Sequence, residues 1–98
     1  MNIQAMMKQA QQLQKKMMDE KKAIDSKVFT GKSSIVSITM TGDKKVTGVS
    51  INMDSIESDD KEMLEDMIML AVNDAITQID KETEAKMGKY TQGLPGLF

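Results

Sequence analysis

Hydrophobic positions in the first quarter of the chain recur with a helical period. Ile3, Met6, Ala10, Leu13, Met17 and Ile24 follow at steps of 3, 4, 3, 4 and 7, a heptad seam interrupted only by Glu20. Gln and Lys fill the other faces without a Gly or Pro, so the pattern predicts one helix over residues 2–25. Such a helix is about 36 Å long, whereas a compact chain of this size has a radius of gyration of about 13 Å. Part of it is expected to overhang the body or to pack on a second subunit.

The period then switches to two. Val36, Ile38 and Met40 alternate with Ser37, Thr39 and Thr41, and Val49, Ile51 and Met53 alternate with Ser50 and Asn52, the mark of strands with one buried face. Thr41-Gly42-Asp43-Lys44, with Gly-Asp at its centre, predicts a hairpin loop of the primed type. A shorter strand around Val28-Phe29-Thr30 precedes it, giving strands at about 27–31, 34–41 and 44–53. A second helix is predicted over 59–87, with Asp59 and Glu62 as a capping box and Ser58 as a rival N-cap. Its apolar face (Leu64, Ile68, Ala71, Val72, Ala75, Ile76, Ile79) is broad enough to cover one side of a sheet. Gly88 is its expected stop, with an apolar tail over 90–98. The fold class is α+β, a helix, three antiparallel strands and a helix in a single domain of 98 residues.

Composition narrows the function. Phe29, Tyr90 and Phe98 are the only aromatic residues, so Met, Ile, Val, Leu and Ala must build the core, and oligomerisation is expected to supply some of the burial. The absence of His and Cys removes an imidazole base, a thiolate nucleophile, a Cys/His zinc site and any disulfide. No apolar run is long enough to span a membrane, and Met1 is followed by Asn2, Gln4 and Gln9 rather than a secretory apolar segment. The expectation is a cytoplasmic protein that is not an enzyme, with no cofactor, no metal and no small-molecule substrate.

Charge changes the picture further. The net charge is −2, yet residues 1–32 carry +4, 33–53 carry +1, 54–84 carry −9 and 85–98 carry +2. With Ile3 at heptad position a, Lys8, Lys15 and Lys22 all fall at f, opposite the seam, with roots about 10.5 Å apart. Lys16 and Lys21 flank that row. One reading is a stripe of cations facing a polyanion backbone; the other is the solvated face of a coiled coil. The acidic group Asp59, Asp60, Glu62, Glu65 and Asp66 suits the positive end of a helix dipole without any ligand. Its spacing also fits a Mg²⁺ site or an acid–base pair, but no second type of functional group accompanies it. Eleven Met residues serve either as core filler or as an adaptable binding face.

Three segments taken together resemble the YbaB/EbfC family of bacterial nucleoid-associated proteins. They are the opening Met6-Met7-Lys8-Gln9-Ala10-Gln11-Gln12-Leu13-Gln14-Lys15-Lys16-Met17, the stretch from Asp60-Lys61-Glu62-Met63-Leu64-Glu65-Asp66-Met67 to Ala71-Val72-Asn73-Asp74-Ala75, and the ending Gly93-Leu94-Pro95-Gly96-Leu97-Phe98. The resemblance covers nearly the whole chain. It implies an intertwined homodimer with helices projecting as arms, DNA binding with low sequence preference, and a cytoplasmic, nucleoid-associated role in nucleoid organisation, gene regulation and DNA protection. Carried onto this chain, the DNA contacts it implies are Lys8, Lys15 and Lys16; the heptad argument adds Lys22, and Lys86 and Lys89 lie at the other arm's end. The lack of Arg removes bidentate guanine contacts and Arg insertion into a narrow minor groove, so binding is expected to be electrostatic and salt-dependent. The −9 segment must then face away from DNA. A competing reading is a protein-interaction or co-chaperone-like adaptor that uses the Met-rich helices and the apolar tail.

Overall fold

Asn2 starts the first helix. In the computed structural model, which describes residues 2–91, its side-chain oxygen accepts hydrogen bonds from the backbone N–H of Gln4 at 3.0 Å and Ala5 at 3.4 Å. Helix α1 (Ile3–Ser26) ends where Lys27 turns extended and leads into β1 (Val28–Ser33). β2 (Val36–Thr41) and β3 (Val46–Ile51) complete an antiparallel sheet in the order β1-β2-β3. A single 3₁₀ turn at Ser58–Asp60 then feeds α2 (Lys61–Thr91). The order is helix, three-stranded antiparallel sheet, helix, as the periodicities predict.

The sheet packs one face on α2. Phe29 pairs with Met40, Gly31 with Ile38 and Ser33 with Val36, so β1 and β2 present a common apolar face. Phe29, Val36, Ile38 and Met40 are buried there against Leu64, Ala71, Ala75 and Ile79. Each fully buried large side chain contributes roughly 1.5–3 kcal/mol. Gly31 lets the layers close: a Cβ there would stand 2.0 Å from the Ala71 carbonyl oxygen and 2.6 Å from the Ala75 nitrogen.

Several local features differ from the sequence expectation. The β2–β3 connection is a three-residue loop, in which Lys44 N–H donates to Thr41 O at 2.8 Å and Thr41 N–H donates to Lys45 O at 2.9 Å. The left-handed residue is Lys44, with φ 65°, so the two-residue primed turn is replaced by a type I turn closed by a left-handed residue. Gly42 serves packing instead, because a Cβ there would lie 1.8 Å from the Ile24 carbonyl oxygen. Ser34 and Ile35 form the β1–β2 turn rather than the start of β2, with φ 53° at Ser34. At the start of α2, the Asp60 carboxylate accepts from Glu57 N–H at 3.0 Å, one turn earlier than the expected Asp59–Glu62 box.

Gly88 does not stop α2. The helix runs on to Thr91 because Met87 and Tyr90 are buried against Ile24 of α1, with Met17 beside them. Burial of those side chains outweighs the cost of about 1 kcal/mol for a helical Gly. The rest of the expected apolar tail lies outside the described residues.

The described chain is long and thin, 71 × 20 × 14 Å with a Cα radius of gyration of 19.5 Å. The seam of α1 explains this. Ile24 is its only buried residue, while Ile3, Met6 and Leu13 are exposed, so the N-terminal half of α1 overhangs the body.

Candidate nucleic-acid interface

α1 presents its lysines from a helix edge that touches nothing else. Lys8, Lys15, Lys16 and Lys22 are all exposed. None has a carboxylate within ion-pair distance among the described residues, and Lys16 acts on Glu20 only at longer range. The row runs along the overhanging arm with about 10.5 Å between successive f positions. The acidic residues of the first turns of α2 stand at the other end of a helix about 46 Å long, so they do not flank the row. Among the described residues, no group of three or more carboxylates is placed to hold a metal ion. No helix there is long and apolar enough to cross a membrane.

Lysines nearer the body are engaged. Lys21 meets Asp25 at 3.4 Å, Lys44 meets Asp80 at 3.1 Å, and Lys27 donates to Glu82. Lys86 lies 3.8 Å from the same Glu82. Lys89 donates to Glu20 Oε1 at 3.2 Å and sits 5.1 Å from the Tyr90 ring centre. The structure thus separates the six candidates into a free set on α1 and a paired set, Lys86 and Lys89, on α2.

The paired set has a structural task that the sequence signals faintly. Glu20 is the one acid in the heptad seam, and its partner is Lys89, 69 residues away. Burial pushes the Glu20 carboxyl up, but Lys89 and the neighbouring Tyr90 hydroxyl outweigh it and hold the group below its ordinary value. The hydrogen bond from Lys27 likewise dominates at Glu82 and lowers it. The bond to Glu20 raises Lys89, and burial raises Tyr90. Lowered carboxylates contribute stability that is complete above about pH 4.5 and is lost as pH falls through their folded values. The raised Lys89 and Tyr90 contribute stability that is complete below about pH 10 and is lost as pH rises through theirs. The expected urea midpoint is therefore level between those limits and falls on both sides. Glu20→Gln should shrink both limbs; an unchanged pH profile would show that this latch adds nothing.

α2 also closes one edge of the sheet, a feature that the sequence pattern does not announce. Asp74 Oδ2 accepts from the backbone N–H of Lys32 at 2.9 Å, and Gln78 Nε2 donates to Thr30 O at 2.8 Å. Two side chains one helical turn apart thereby occupy the free edge of β1 as a neighbouring strand would. The available signal is a polar pair at i, i+4 flanking the apolar stripe of α2.

The opposite edge is open. Val46 and Val49 pair with Met40 and Ile38 and share their face, yet they are 50 % and 56 % exposed because α2 lies over β1 and β2 only. On a helical wheel Met69, Val72 and Ile76 fall on the flank of α2 opposite Asp74 and Gln78, which is the β3 side. An uncharged apolar strip therefore runs beside an unpaired strand.

Comparison with known proteins decides what this architecture belongs to. The model of the YbaB/EbfC DNA-binding family matches residues 1–94. The chain belongs to the YbaB/EbfC DNA-binding family. A nucleoid-associated protein of Ligilactobacillus salivarius is 46 % identical over 99 residues, covering 99 % of this chain and 95 % of that protein. A nucleoid-associated protein of Lactococcus lactis subsp. cremoris is 48 % identical over 97 residues, covering 97 % and 98 %. The crystal structure of an uncharacterized protein from Helicobacter pylori shares the fold with a TM-score of 0.74 at 20 % identity, covering 92 % of this chain and 97 % of that one. Within this YbaB/EbfC member, the free lysine row and the open β3 edge are the two surfaces without a partner of their own among the described residues.

Proposed function

We propose that this protein is a nucleoid-associated DNA-binding protein that contacts duplex phosphates through Lys8, Lys15, Lys16 and Lys22. Lys86 and Lys89 act as outer contacts, weaker because each already has a carboxylate. The observation that carries this reading is the free, exposed lysine row on an overhanging helix in a family described as DNA-binding. An ammonium group is a point charge without the planar fork that reads a base edge. Binding is therefore of low sequence specificity, and DNA organisation, protection and effects on gene expression result from coating or bridging in the nucleoid.

The acting unit is a homodimer. The strip formed by Val46, Val49, Met69, Val72 and Ile76 lies beside the open edge of β3, whereas the edge of β1 is already filled. A second copy on this face buries the strip and leaves both α1 arms projecting. Val49→Lys, which puts a charge on that face at an exposed position, is expected to elute with the mass of one chain where the native protein has the mass of two. Two-chain mass in both would place the dimer contact elsewhere.

Titration of a fluorescent generic duplex across a salt series tests DNA binding itself. The expected plot of log affinity against log salt is steep and linear, falling by about 0.9 for each phosphate neutralised. The exposed seam of α1 favours a second reading, an adaptor that holds another protein. That reading requires no DNA binding at low salt, together with partner binding that survives high salt.

A further inference from the structure

The apolar seam of α1 continues past its last partner. Met17 and Ile24 pack with Met87 and Tyr90. The next positions on the same face, Leu13, Ala10, Met6 and Ile3, are exposed, Leu13 by 44 % and Ile3 by 71 %. α2 approaches this face antiparallel and in register: Lys27 meets Glu82 and Glu20 meets Lys89, so seven residues down one helix match seven up the other. On that register Thr91 stands level with Met18, and the chain passes beyond Thr91 at the foot of the uncovered seam.

Gln92-Gly93-Leu94-Pro95-Gly96-Leu97-Phe98 completes the sequence, an uncharged run with three large apolar side chains. We propose that this segment docks along the α1 seam of its own chain, with Leu94, Leu97 and Phe98 covering Leu13, Met6 and Ile3. Length agrees: seven extended residues span about 23 Å, and the axial distance from Met18 to Ile3 is about 22 Å. Composition agrees as well, because Pro95 in a glycine-flanked run breaks the helix and favours an extended path. Its own chain is the favoured host over a second copy. A segment tethered at Thr91 samples the adjacent seam at an effective concentration in the millimolar range. The lysine row lies on the opposite side of α1, so this docking leaves Lys8, Lys15 and Lys22 free; the proposal stands apart from the DNA reading and fails or holds without it.

The chain has no Trp, so Phe98→Trp in the full-length protein supplies a single reporter. The expected emission is blue-shifted and shielded from iodide, unchanged on dilution. Adding Leu13→Lys should shift it to the red and raise the quenching constant several-fold. In a second measurement on the native side chains, Leu94→Ser/Leu97→Ser/Phe98→Ser should accelerate amide hydrogen exchange at residues 6–13 while leaving exchange in the sheet unchanged. Red, freely quenched emission from the Phe98→Trp protein, with unchanged exchange in the triple variant, would overturn the proposal. A blue shift that is lost on dilution would overturn it in favour of a second copy on the seam.

Discussion

Replacing Lys8, Lys15, Lys16 and Lys22 together by Gln should flatten the salt dependence of duplex binding and weaken it by about 10³-fold at 0.1 M salt. Each lysine that neutralises a phosphate releases condensed counterion, so four lost contacts take up to about 3.6 from the log–log slope. The same contribution, carried from 1 M down to 0.1 M salt, is that many decades of affinity. The variant should fold as the native chain does, because all four side chains are exposed and Gln is nearly as good a helix former as Lys. Circular dichroism and the thermal midpoint check that condition. An unchanged slope in a folded variant would remove the α1 row from the interface and turn attention to Lys86, Lys89 and the hydroxyl-rich outer face of the sheet.

The second large effect concerns the close contact between sheet and helix. Gly31→Ala is expected to destabilise the fold by about 3 kcal/mol or more, because overpacking against backbone has no flexible side chain to absorb it. The added methyl would meet the Ala71 oxygen at 2.0 Å and the Ala75 nitrogen at 2.6 Å, so β1 must lift from α2 or the helix must move. For a domain of this size that corresponds to a fall in Tm of about 12 °C or more. Gly88→Ala is the matched contrast. Nothing lies within 4 Å of a Cβ built there, and the residue is helical, so the substitution should raise stability by about 0.5–1 kcal/mol. Equal effects at the two positions would mean that the close approach of α2 to β1 is not a constraint.

Much of this protein is legible along the chain because near neighbours decide it. The 3.6-residue period of the seam and of the Leu64–Ile79 stripe places the helices, and the alternation around Val36 and Val49 places two strands, since each depends only on which face of a local element is apolar. The lysine row is readable for the same reason: position f follows from position a by geometry within one helix. The turn at Thr41-Gly42-Asp43-Lys44 misleads because Gly42 suggests a backbone need, whereas its role is to clear the Ile24 carbonyl from another element. Gly88 reads as a stop because the burial of Tyr90 against α1 is not visible in its own neighbourhood.

Sequence alone therefore determines the order and type of the elements, the family, the absence of His, Cys and Arg chemistry, and the row Lys8–Lys15–Lys22. Tertiary structure decides which lysines are free and which are held, as Lys27 is by Glu82 across 55 residues and Lys89 by Glu20 across 69. It also decides that Asp74 and Gln78 close the β1 edge while β3 stays open. The physical reason is range. Periodicity and propensity act over one or two helical turns, whereas an ion pair or an edge cap exists only after packing has brought distant segments within hydrogen-bond reach.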